Sequence, residues 1–138
     1  LAFTHAYGLR IGPWGLVARV SLDVQPLGEP PGEARRVDDS PVWWVPPPGL
    51  APADEEWMRF GLGLVADQLG AVLVRVLAWD VPMLTDYQDE VAAAALIECL
   101  RDNCGIGGVD IGVTFDRERN RYEFTWGEGG ERPEAGTG

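Results

Sequence analysis

The chain has 138 residues, 46% of them hydrophobic, with 22 acidic and 11 basic residues giving a formal charge of −11. That length holds one domain with a real core, and the acidic balance argues against a phosphate-binding surface, because nucleic-acid affinity rests on concentrated Lys and Arg. The longest apolar runs fall short of the roughly 18 residues that a membrane span needs, so neither nucleic acid nor membrane is an expected partner.

Residues 2–11 can form a first strand. Gly12-Pro13-Trp14-Gly15 is turn chemistry, since Pro fixes φ and the glycines permit positive φ. In Leu16 to Val24, Val20, Leu22 and Val24 alternate with Arg19, Ser21 and Asp23, the pattern of a half-buried strand. Pairing across the turn would make a hairpin. Residues 26–41 form a polar Pro/Gly loop. Val42 to Val45 is a short strand, stopped by three prolines that cannot donate to a ladder. Its paired Trp43 and Trp44 suggest one ring in the core and one over a loop, or an exposed interface pair.

Helix is expected from about residue 53 to 69, with Pro52 in the first turn and Asp54, Glu55 and Glu56 where the helix dipole favours anions. Gly61 and Gly63 weaken it by roughly 1 kcal/mol each against Ala, which points to close packing. Ala71 to Trp79 is an apolar run broken only by Arg75, a strand expected at the centre of the sheet. A second helix is expected over 86–104. Thr85 and Gln88 have the spacing of a capping box, and Gly105 can close the helix in the left-handed region. Val109 to Phe115 and Arg121 to Trp126 flank the charged turn Asp116–Asn120 as a C-terminal hairpin. Tyr122, Phe124 and Trp126 share one of its faces. Residues 127–138 have no apolar anchor and are expected to be a disordered, acidic, Gly-rich tail.

The order β-β-β-α-β-α-β-β gives one α+β domain over residues 1–126. Its mainly antiparallel sheet has about five or six strands, with both helices on one face. All basic residues are Arg, the codon bias of a high-GC bacterium. No charged and apolar leader opens the chain, so no signal peptide is expected. Cys99 and Cys104 make no CxxC and the lone His5 supplies no metal set, so buried thiols in a reducing cytoplasm, and no cofactor, are expected. No phosphate loop, dinucleotide fingerprint or nucleophile elbow is present. The candidate interaction surface is Trp14, Trp43, Trp44, Asp80, Asp86 and Glu90. Asp86 and Glu90 would share a helix face at i,i+4.

The stretch of roughly residues 10–104 resembles domain IV of translation elongation factor G, of the ribosomal protein S5 domain 2-like group. The likeness lies in order and spacing. Leu16 to Leu27 ends in Pro26-Leu27, Glu55 to Gly61 looks like the first helix, Val72 to Leu77 like the central strand, and Asp86-Tyr-Gln-Asp-Glu90-Val-Ala-Ala like the start of the second helix. The resemblance implies a sheet with one face covered by helices and the other open to a partner. It does not carry the ribosomal role. The first turn is not basic, the loop 80–85 lacks the family's His, and no GTPase domain is present.

Three functions fit these readings. One is a small, acidic, cytosolic, non-catalytic interaction module with an unidentified protein partner. Another is an immunity-type protein neutralising a basic toxin. The third is a metal-dependent enzyme using the carboxylates of Asp80, Asp86 and Glu90.

Overall fold

The structure, a computed structural model, describes residues 2–82 and 86–127. Its elements are β1 (Ala2–Leu9), β2 (Leu16–Pro26), β3 (Arg35–Arg36), β4 (Trp43–Val45), α1 (Pro52–Leu69), β5 (Val72–Asp80), α2 (Glu90–Cys104), β6 (Ile111–Asp116) and β7 (Arg121–Trp126). The first five strands form one sheet in the order β1-β2-β5-β4-β3, while among the described residues β6 and β7 pair only with each other. Neighbours are antiparallel except β4 and β5, which run parallel because α1 connects them as a crossover. The expected α+β architecture, with 71–79 as its central strand, is therefore what is observed.

Side chains alternate across the sheet. Leu16, Ala18, Val20 and Leu22 of β2 and Val74 and Val76 of β5 are buried toward the helices. α2 lies across β1 and β2 and alongside α1. From Val91 to Ile97, every residue of α2 is fully buried. A helix apolar on all sides needs a neighbour on all sides. The sheet, α1 and the β6–β7 hairpin supply them, so the helices are enclosed between the large sheet and the hairpin. The small side chains allow close approach: a Cβ added at Gly61 would lie 3.1 Å from the Cα of Ala93. Gly63, by contrast, is exposed on the outer side of α1 and serves no such contact.

The hairpin is fastened by backbone recognition. Gln68 accepts from the Gly108 N–H at 2.8 Å and donates to its carbonyl at 2.9 Å. Gln88 does the same at Tyr122, accepting at 2.6 Å and donating at 2.9 Å. The Tyr122 hydroxyl accepts from the amides of Ile11 and Gly12 and donates to the Trp14 carbonyl. Gly12 is needed there, since a Cβ would lie 2.5 Å from the Phe115 ring.

This arrangement corrects the expected start of α2. Thr85 lies outside the described residues. The Gln88 amide pairs with the hairpin instead of capping the helix, and α2 begins at Glu90 with Asp89 as an N-cap that makes no side-chain cap bond. Asp86 thus precedes the helix and shares no helical face with Glu90. Gln88→Ala should lower stability by about 2 kcal/mol, because it removes two hydrogen bonds and leaves the Tyr122 amide unpaired. A denaturant midpoint unchanged from the parent would show that water replaces both bonds.

Candidate interaction face

The side of the large sheet away from the helices carries Val17, Arg19 and Ser21 from β2, and Arg75, Leu77, Ala78 and Asp80 from β5. A β-bulge shapes it. Ser21 pairs with Ala78 and Leu22 with Val76, so Leu77 is the extra residue with no partner on β2. The bulge lets Val76 and Trp79 both face inward while Leu77 is pushed out. Leu77 is 50% exposed and Val17 44%. Beside Val17 the face dips into a hollow of about 400 Å³ bordered by Ala6, Val17, Arg19, Asp80 and Val81, while Leu77 borders a separate concavity on its other side.

The lower end of this face is covered. The chain must pass β5 and β4 to travel from β2 to β3, and Glu33 in that passage meets Arg75 at 3.6 Å. Leu73, on the same face, is accordingly only 6% exposed. The open part is the upper half, near the ends of β5 and β1.

The expected surface residues are dispersed. Trp44 is 1% exposed and fills the core, so it is no part of any surface. Trp43 is partly buried on the other side of β4, opposite Leu73. Trp14 packs edge-on to Phe115 and Tyr122 and donates to Asn120 at 3.0 Å, a tie between the first turn and the hairpin. Glu90 is engaged by Arg121 at 2.7 Å with its side chain 12% exposed, which removes it from the surface. Asp86 is exposed beside the β1–β2 turn, and Asp80 is exposed at the rim of the open face. Leu77 and Val17 escaped the sequence reading because each sits in an apolar run. The unbroken alternation of Val17 with buried Leu16 and Ala18 was the available signal.

A second concavity, of about 480 Å³, opens where β4 and β5 end and α1 begins, between Pro47, Leu50, Asp54, Trp79 and Asp80. Behind it the Tyr87 hydroxyl donates to Asp54 Oδ1 at 2.5 Å. Burial first, and the Asp54 contact second, hold the Tyr87 phenol well above the usual range, so it stays protonated. The carboxylates needed for metal chemistry do not converge. Among the described residues no three His, Cys, Asp or Glu side chains are grouped to hold a metal ion, and Asp80, Asp86 and Glu90 are not brought together.

Asp89 does stand out in this region. Burial raises its carboxyl above the ordinary value, helped by Asp54 and Glu90 and opposed by Arg121. A carboxyl raised in the folded state binds its proton more tightly there than when unfolded. Its charge therefore opposes folding at neutral pH, and the cost vanishes as pH falls below the ordinary carboxylate range. Asp89→Asn should raise Tm at pH 7, with the gain shrinking to nothing near pH ~3. A gain independent of pH would contradict this origin.

No known family profile matches the chain, and no curated protein is detectably similar to it in sequence.

Proposed function

We propose that this chain is a small, acidic, non-catalytic interaction module that meets a protein partner through the open face of its five-stranded sheet. The observation that carries the reading is the bulge at Leu77, which presents a large apolar side chain on the one sheet face that neither helix nor hairpin covers. The order of strands and helices supports a divergent kinship with domain IV of elongation factor G. Two free cysteines, Cys99 and Cys104, support a reducing cytoplasmic setting.

The net charge of −11 also favours a second reading, an immunity-type protein that neutralises a basic toxin. Capture from lysate of the source organism, comparing the parent with a Val17→Glu/Leu77→Glu double variant, separates the two. Ribosomal particles retained by the parent alone favour the elongation-factor kinship, and a single basic protein favours the immunity reading. A partner held equally by both chains would show that the open face is not the interface.

A further inference from the structure

The two edges of the large sheet are built differently. At one edge β3 is two residues long, and both, Arg35 and Arg36, are exposed and charged. Short length and charge are the usual protection of a sheet edge against a foreign strand. At the other edge β1 runs for eight residues, AFTHAYGL, with no Asp, Glu, Arg, Lys or Pro. Its pairing with β2 is continuous from Ala2↔Asp23 to Leu9↔Leu16, with no bulge to twist it away. Along its other side, alternate backbone amides and carbonyls are presented without a ladder partner among the described residues.

The surface beneath that edge carries two carboxylates, Glu98 and Asp102, the second also paired with Arg101 at 3.1 Å. His5, on the helix side of β1, meets Glu98 of α2 at 2.9 Å and Asp102 at 3.8 Å. The side chains of Glu98 and Asp102 remain 30% and 47% exposed. A strand laid against β1 would point every second side chain toward these carboxylates.

We infer that β1 is a docking strand that receives, by strand addition, an extended segment of a basic partner protein, its alternate Lys or Arg side chains meeting Glu98 and Asp102. This rests on the reading of the chain as an interaction module but uses a different surface from the open face. Backbone pairing supplies the affinity, and the alternating charges fix the register. A second copy of this chain is a poorer occupant. Each copy carries a formal charge of −11, and pairing β1 with β1 would bring Glu98 and Asp102 of both copies to one seam.

The test uses the full chain and synthetic peptides alternating lysine with valine, or glutamate with valine. The lysine peptide should bind, protect β1 amides from hydrogen exchange, and weaken as salt rises. Glu98→Lys/Asp102→Lys should weaken that peptide roughly tenfold or more and admit the glutamate peptide instead. Glu98→Gln/Asp102→Asn, which keeps the side-chain shapes, should lie between. The Val17→Glu/Leu77→Glu variant should still bind the lysine peptide, so failure of the open face leaves this result standing. Equal binding of both peptides would overturn the inference, as would protection away from β1. Protection of β1 that grows with protein concentration alone would assign the edge to a second copy and overturn it too.

Discussion

Trp57→Ala should destabilise the protein by about 4 kcal/mol, near the upper end for a single core truncation. Trp57 is 1% exposed in the first half of α1, with ring centroids 5.3 Å from Phe60 and 5.7 Å from Trp126. It is where α1 meets the hairpin, so its loss opens a cavity between two layers that cannot easily collapse together. Its buried indole N–H makes no hydrogen bond among the described residues, so the loss is one of packing. Trp57→Phe should therefore cost only about 1–2 kcal/mol. Denaturant unfolding of the two variants checks this; similar losses in both would mean that the indole nitrogen matters after all.

Tyr122→Phe should cost about 3 kcal/mol, although it deletes a single oxygen. That oxygen accepts from two amides, at 2.9 and 3.0 Å, and donates at 2.5 Å to the Trp14 carbonyl. Removing it leaves two backbone donors without a partner, each costing about 1–3 kcal/mol where water is excluded. The buried ring remains, so the core keeps its volume. Hydrogen exchange should quicken at Ile11 and Gly12 more than in the middle of β2. Uniform acceleration would mean that the hydroxyl supports the whole domain rather than the seam between the first turn and the hairpin.

The elements that were legible in the sequence are those with a local cause. Alternation marked β2, the apolar run marked β5, and Pro52 with its following acids marked the start of α1, which begins at Pro52 in the structure. Gly61 signalled close approach because a glycine inside a helix needs a packing reason, and it lies against Ala93. What escaped depends on distant partners. Gln88 has a capping partner three residues back by spacing, but its amide matches the backbone of Tyr122, 34 residues on. The two-residue β3 exists only because Arg35 and Arg36 meet β4. Nothing within the Pro/Gly loop announces it.

The interaction face divides the same way. Six candidate residues were chosen for aromaticity or charge, and tertiary packing draws Trp44 into the core and Glu90 to Arg121. Leu77 became visible only through the bulge, which is a property of the pairing between β2 and β5 and of neither strand alone. Asp80 is the candidate that lies at the rim of the open face.

The most direct test of the open face is a methyl-resolved NMR titration of the intact chain with the captured partner. The methyls of Val17 and Leu77 should shift or broaden, while those of Val65 and Leu96, fully buried between the layers, stay in place. Shifts confined to Leu50 and its neighbours at the end of β4, with Val17 and Leu77 unmoved, would contradict an interface on the open sheet.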